Sequence, residues 1–294
     1  MGPRGGRRNE AYQGGVYSSG LSEFVLGKAI KKYNLPRDEI VVMTKLHGVV
    51  SRKISDFFYG VNVDDLGYVN QHGLSRKHIF ASVKKSLDRL GLEYVDVLQC
   101  HRFDEDTPIE ETMQALHDVV KAGLVRYIGM SSCYAWQFHI VQNYAITHNL
   151  TPFISMQNHY NLLYREEERE MIPTLKHFGV GSIPWSPLAR GNLTRPLGEQ
   201  TKRAGTDGWS QGYQGAGVKD TINRVEELAK KKNVSMAQLS LAWLLQKDVI
   251  SAPVVGTTSI EKLKDLVGAL DVKLTEEDLK YLEEPYQPVP IFGH

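Results

Sequence analysis

The chain has 294 residues, and 35 lysine and arginine residues against 34 aspartate and glutamate residues leave a formal net charge of +1 at pH 7. Hydrophobic residues make up 41% and charged residues 23%, which is ordinary globular usage and excludes a disordered tail, a collagen and a coiled coil. The balanced charge argues against a nucleic-acid partner, because nucleic-acid-binding domains are usually strongly basic. No apolar run approaches the roughly 18 residues that span a bilayer, so no membrane partner is expected.

Cys100 and Cys133 are too few for a disulfide framework, and both lie in apolar, strand-like sequence. We therefore expect buried thiols in a reducing compartment. The basic residues at 1–8 have no apolar stretch behind them, so they do not resemble a signal peptide. Cytoplasmic location is the expectation.

Short β-branched runs alternate with amphipathic segments along the chain, which predicts strands that alternate with helices. In chain order the predicted strands lie at 40–45, 95–101, 125–132, 153–158, 180–186 and 252–257. The predicted helical segments lie at 21–33, 75–91, 109–122, 134–148, 165–178, 219–247, 259–270 and 275–284. Ser75 and Gly91 have the residue types of helix caps, and a break at 233–235 lets Ser235 begin a second helix.

This alternation predicts an α/β fold of right-handed βαβ units around a parallel sheet. A closed (β/α)8 barrel and an open doubly wound sheet both fit. A barrel needs eight strands and six are recognisable, so a barrel would be incomplete or rebuilt at its N-terminus. We expect a single domain over 1–294, with a divergent segment at 1–15.

Two long connections, 46–74 and 189–218, would lie at the carboxyl ends of barrel strands, where active sites form. No GxGxxG motif follows a predicted strand, so a Rossmann domain is not supported. Lys45, His101 and the pair Ser131–Ser132 end three successive strands. Because parallel strands end at one edge, Lys45 and His101 are expected to converge, although a polar residue can also simply mark where a strand leaves the core.

Seven sequence blocks occur in a definite order, at 16–23, 43–45, 96–102, 129–132, 157–161, 185–191 and 256–259. Together they resemble the aldo-keto reductase superfamily, most closely its fungal aryl-alcohol dehydrogenase-like branch, over roughly residues 16–285. The resemblance implies a (β/α)8 barrel and an NADPH-dependent oxidoreductase that reduces an aldehyde or ketone to an alcohol, without a metal. A small-molecule carbonyl or alcohol is the implied substrate.

The resemblance assigns three catalytic residues. Tyr17 is the acid that protonates the carbonyl oxygen, Lys45 lowers its pKa, and His101 positions the carbonyl. A tyrosine with a pKa of about 10 is a poor acid at neutral pH, and a neighbouring ammonium makes loss of its proton easier.

The resemblance also assigns the contacts of the cofactor NADPH. Ser131, Ser132 and Gln157 hold the nicotinamide carboxamide, and Trp185 stacks on the nicotinamide ring. The remaining assigned residues belong to three parts of the cofactor site. They are a loop over the pyrophosphate, a phosphate site at a helix N-terminus, and the adenosine end, where a lysine pairs with the 2′-phosphate. These residues are Ser186, Leu188, Arg190, Thr257, Thr258, Lys262 and Asp265.

The chain departs from the family pattern near its N-terminus. The family's catalytic aspartate precedes the tyrosine by five residues, where this chain has Tyr12, and a second aspartate position holds Gly15. A catalytically weak or inactive NADPH-binding protein, with a regulatory or vestigial role, is therefore the alternative to an active reductase. A phosphate-binding barrel without nicotinamide is a third reading, against which the stacking residue Trp185 argues.

Overall fold

The computed structural model describes residues 19–53, 58, 61–199, 212–291 and 293. Tyr17, Tyr12 and the divergent segment 1–15 lie outside the described residues. The chain divides into two compact units, Met1–Ile154 with Gly293–His294, and Ser155–Phe292. The expected single domain stays a prediction.

The first unit contains three strands that alternate with helices, as the sequence predicts. The strands are β1 (Met43–Leu46), β2 (Val95–Cys100) and β3 (Val125–Ser131), and the helices are α1 (Leu21–Lys32), α2 (Arg76–Leu90), α3 (Ile109–Lys121) and α4 (Ala135–Thr147). Short 3₁₀ turns lie at Arg37–Glu39 and Val63–Leu66. Both β1 and β3 pair with β2 in parallel. Ile79, Leu116 and Ile128 are fully buried and belong to the hydrophobic core of this unit.

Strand β4 (Phe153–Gln157) leads into the second unit, where β5 (Gly181–Ser182) pairs with it in parallel. The helices that follow are α5 (Met171–Phe178), α6 (Val218–Lys232), α7 (Met236–Leu245), α8 (Ile260–Val267) and α9 (Glu276–Glu283), with 3₁₀ turns at Glu166–Glu168, Ala189–Gly191 and Gly268–Asp271. Across the described residues the strand order is β1-β2-β3-β4-β5, and these five strands do not form a closed barrel.

The prediction of a sixth strand at 252–257 is wrong. Residues near that position do run beside β5, since Ser251 N–H donates to Ser182 O and Val254 N–H donates to Pro184 O, each over 2.8 Å. Pro184 and Pro253 have no N–H to donate, so a regular hydrogen-bond ladder cannot continue through them. The isolated parallel bridge of Ser182 with Ile250 precedes the predicted strand, and β5 spans only two residues for the same reason.

Helix ends follow the sequence signals closely. The Ser75 hydroxyl accepts a hydrogen bond from His78 N–H, and Gly91 ends α2 with a left-handed φ of 64°. Ser235 begins α7 with a capping box completed by Gln238, which confirms the predicted break in the 219–247 stretch. Both cysteines are buried thiols, as predicted. Within the part of the chain that the structure describes, the helices fall short of the length and apolarity needed to cross a membrane.

Candidate active site

Lys45 and His101 lie at the carboxyl ends of adjacent strands. Lys45 is in register with Gln99, and His101 N–H donates to Leu46 O over 2.9 Å, so the chain continues in register just past the end of β2. Side chains alternate between the two faces of a strand, and therefore Lys45, Gln99 and His101 share one face of the sheet. The predicted convergence of Lys45 and His101 is present in the fold.

Both groups are held away from their ordinary protonation equilibria. Burial, reinforced by the nearby Arg102 guanidinium, lowers the pKa of the Lys45 ammonium to about 8. Burial also lowers the pKa of His101 well below 6.5, and the positive charges of Arg102 and Lys45 add to that effect. At neutral pH the site therefore combines a neutral imidazole with an ammonium that loses its proton unusually easily.

Ser131 extends the same face onto a third strand. Gly129 of β3 is in register with Gln99, and Ser131 lies two residues further along, on the same side as Gly129. Both Ser131 and Ser132 are buried at the end of this strand, at 1% exposure each. Lysine, histidine and serine groups thus meet at one edge of the first unit.

A group of polar residues beside this edge was not singled out by the sequence. Burial lowers the pKa of His47 to about 4, against an opposing effect of the Asp104 carboxylate. Asp104 accepts hydrogen bonds from Leu74 N–H over 2.6 Å and from the Thr107 hydroxyl over 2.7 Å. Burial works against ionisation of Asp104, but these hydrogen bonds lower its pKa overall. The carboxylate therefore anchors the end of the long connection after β1.

Gly73 shows how closely that connection packs. Its φ is +80°, and a Cβ placed there would lie 2.7 Å from an Asp104 carboxylate oxygen. Only glycine avoids both the left-handed strain and this clash. The spacing of glycine and aspartate, 31 residues apart, carries no local signal that could have revealed the contact.

In the second unit, Trp185 stacks on His159. Their ring centroids are 4.1 Å apart with an interplanar angle of 11°. His159 is fully buried, whereas Trp185 is half-buried. One face of the indole is thus covered by the His159 imidazole. This arrangement fits the nicotinamide-stacking role that the sequence resemblance implies.

The loop after Trp185 has a strained backbone. Ser186, Ala189 and Arg190 all have left-handed φ values, of 50°, 47° and 55°. Non-glycine residues rarely adopt this region, and such strain concentrates where a loop is shaped around a function. Leu188 packs partly buried against the cluster of Ala237, Leu241, Leu266 and Ala269, so its side chain anchors this loop.

The remaining predicted cofactor residues differ in their surroundings. Gln157 is buried at the end of β4. Thr257, Thr258 and Lys262 are exposed around the N-terminus of α8, where Ser259 caps the helix. Asp265 accepts a hydrogen bond from the Ser235 hydroxyl over 2.8 Å, so its carboxylate connects α8 to the start of α7. The structure gives Asp265 a stabilising contact, while its role at the adenosine end stays a prediction.

Strands followed by helices, with a lysine and a histidine at adjacent strand ends, define an α/β protein with a polar site at the ends of its strands. The model of the aldo/keto reductase family matches residues 13–287, and the chain belongs to that family. The family fold is a (β/α)8 barrel, of which the described residues form five strands. The sequence-based identification of the family is confirmed.

Fungal relatives match along most of the chain. A Schizosaccharomyces pombe protein named as a putative aryl-alcohol dehydrogenase is 52% identical over 286 residues, which cover 94% of this chain and 81% of the relative. The versiconal hemiacetal acetate reductase of Aspergillus parasiticus is 48% identical, over 94% of this chain and 82% of its own length. A Saccharomyces cerevisiae protein, also named as a putative aryl-alcohol dehydrogenase, is 46% identical, over 92% of this chain and 80% of its own. The chain is an oxidoreductase of the aldo-keto reductase type.

Proposed function

We propose that the chain is an NADPH-dependent reductase that converts an aldehyde or ketone into the corresponding alcohol. The observation that carries this proposal is the pairing of Lys45 with a neutral His101 on one face at adjacent strand ends. The residue types that the resemblance assigns to the cofactor also suit a nicotinamide dinucleotide: hydroxyls and an amide for the carboxamide, an indole for the ring, and an exposed lysine for a phosphate. When bound, NADPH supplies hydride to the carbonyl carbon.

The side chains of the protein would supply the proton and orient the carbonyl. A neutral imidazole at His101 donates an N–H to the carbonyl oxygen and so fixes the direction of the C=O bond. The Lys45 ammonium lowers the pKa of the Tyr17 phenol, which then donates its proton to the developing alkoxide. Burial keeps the His101 imidazole neutral, so no second positive charge opposes the Lys45 ammonium.

An aromatic or short aliphatic aldehyde is the proposed substrate class. It is supported by the family resemblance and by relatives named as aryl-alcohol dehydrogenases and as a hemiacetal acetate reductase. Cytoplasmic location belongs to the same proposal and rests on composition.

A second candidate is a nucleotide-binding protein with slow turnover. The lowered pKa of Lys45 bears on it above pH 8, where the amine loses the charge that lowers the pKa of the phenol. Tyr12, at the position of the family's aspartate, points the same way. In this case NADPH would bind while aldehydes are reduced slowly.

One set of measurements separates the two candidates. Binding is followed by quenching of tryptophan fluorescence with NADPH, and turnover by loss of NADPH absorbance with a panel of aromatic aldehydes. Turnover of about 1 s⁻¹ or more supports the reductase. Binding with much slower turnover, raised by Tyr12→Asp, supports the second candidate. Absence of NADPH binding would contradict both.

A further inference from the structure

The support beneath Trp185 is a stack of three rings. The His159 imidazole lies 4.1 Å from the Trp185 ring and 4.2 Å from the Tyr164 ring, with interplanar angles of 11° and 13°. Two rings at this distance cannot share one face of an imidazole, so Trp185 and Tyr164 lie on its opposite faces. His159 and Tyr164 are both fully buried, which makes the stack a fixed part of the core.

A hydrogen-bond network holds the imidazole from its edge. Nε2 of His159 is 2.6 Å from the Tyr213 hydroxyl and 3.3 Å from the Asn161 side-chain amide. The Asn161 oxygen accepts from Leu163 N–H over 2.9 Å, which orients the amide so that its NH₂ group faces the network. The same NH₂ group contacts the Tyr213 hydroxyl over 3.2 Å.

These contacts fix the orientation of the imidazole. The Asn161 NH₂ group donates to the Tyr213 oxygen, and the Tyr213 hydroxyl is hydrogen-bonded to Nε2 of His159. A flat ring that is held at its edge and packed between two aromatic faces has little freedom to turn.

The network also reaches the loop that follows Trp185. The Asn161 NH₂ group donates to Ser186 O over 2.9 Å, at the residue where the backbone first becomes left-handed. The Trp185 backbone N–H donates to Asn158 O over 2.9 Å. Asn161 thus couples the orientation of His159 to the backbone at the edge of the indole.

We infer that His159 is a positioning residue for the nucleotide: held by Tyr213 and Asn161, it fixes the Trp185 indole as the platform on which the cofactor ring stacks. This inference rests on the proposed function. The inference adds that nucleotide affinity depends on the Tyr213 hydroxyl, which contacts the His159 imidazole. A platform held in place loses little conformational freedom when the ligand binds, which favours affinity.

The test is a double-mutant cycle of Tyr213→Phe and Trp185→Phe in the full chain. Tyr213→Phe keeps the ring and removes the hydroxyl, and should raise the Kd for NADPH about three- to tenfold, with KM for NADPH rising more than kcat falls. In the Trp185→Phe background the same change should have a much smaller effect, because the indole it orients is gone. Equal effects in both backgrounds would overturn the inference.

Near-ultraviolet circular dichroism provides a reading without nucleotide. Tyr213→Phe should weaken the tryptophan bands, and this loss should disappear in the Trp185→Phe background. His159→Gln keeps an acceptor for Tyr213 but removes the ring beneath Trp185, and should weaken both the bands and the binding at least as strongly. Tyr281→Phe is the matched control, because its hydroxyl contacts Glu227 over 2.6 Å on the exposed surface.

The two readings separate the inference from the proposed function. If the chain shows dichroism changes that depend on Trp185 but does not bind NADPH, the lack of binding contradicts the proposed function. The positioning of the indole is then still supported. Unchanged dichroism in both Tyr213→Phe and His159→Gln would overturn the inference, whether or not NADPH binds.

Discussion

Lys45 and His101 lie on one face of adjacent parallel strands, close enough for the ammonium to lower the pKa of the imidazole. Each is also desolvated, so the two side chains resist becoming charged together. This mutual opposition keeps His101 neutral when Lys45 is charged. The pair is thus suited to a site that needs one cation and one neutral hydrogen-bond donor.

Lys45→Met should stabilise the fold while it removes turnover. The pKa of Lys45 is lowered from 10.5 to about 8, so below pH 8 the folded chain bears the cost of a buried ammonium that the unfolded chain does not. Relief of this cost should raise the free energy of unfolding at pH 7 by about 1–3 kcal/mol. Urea denaturation at pH 7 measures it, and the gain should shrink as pH rises from 8 to 10.5. A loss of stability at pH 7 would contradict the assigned pKa.

The pH dependence of activity should show the same group. Because the ammonium form assists the phenol, kcat/KM should fall as pH rises through about 8. Lys45→Arg keeps its charge at higher pH, so any residual activity of that variant should lack this limb. Rates measured from pH 6 to 10 with saturating NADPH test this. A flat profile to pH 10 in the unaltered chain would show that Lys45 does not control the proton donor.

His101→Gln should reduce turnover far more than nucleotide binding. A positioned hydrogen-bond donor contributes about 100-fold or more to rate, and a group used in the transition state lowers kcat and kcat/KM together. The Kd for NADPH should stay within about twofold of the unaltered value. His177→Gln, at an exposed position on α5, is the control. Unchanged kcat in His101→Gln would assign this histidine a purely structural role.

The fold should lose stability in mild acid, in part through His47. Its pKa is lowered from 6.5 to about 4, so the unfolded chain takes up a proton first as pH falls. The contribution of His47 to stability is intact above pH 6.5 and declines between 6.5 and 4, by about 2 kcal/mol at pH 5. His47→Asn should flatten this slope, measured as the urea midpoint from pH 7.5 to 5. His177→Asn should leave the slope unchanged; equal slopes in both variants would contradict the prediction.

Lys262 should select the phosphorylated nucleotide. It is exposed near the N-terminus of α8, where the resemblance places the 2′-phosphate. Lys262→Glu should weaken NADPH binding about tenfold or more and leave NADH binding nearly unchanged, because only NADPH carries that phosphate. Lys264→Glu makes the same charge change on the same helix and should have a smaller effect. Fluorescence titrations with both nucleotides measure this, and equal losses in the two variants would indicate a general charge effect.

Local patterns in the sequence predicted most of the secondary structure. Ser75, Gly91 and Ser235 cap helices through contacts within a few residues, so their residue types are sufficient signals. The strand predicted at 252–257 failed because β-branched residues indicate an extended chain, whereas a ladder also needs N–H groups. Pro184 and Pro253 remove those groups on both sides of the contact.

The family, the strand ends and the pairing of Lys45 with His101 were determined by the sequence alone, because parallel strands bring their carboxyl ends to one edge whatever lies between them. The tertiary structure decided the rest of the site. The lowered pKa values of Lys45 and His101 depend on burial and on Arg102, and the contact of His159 with Tyr213 joins residues 54 positions apart. Such desolvation and long-range packing depend on how the whole chain folds, and no local sequence pattern encodes them.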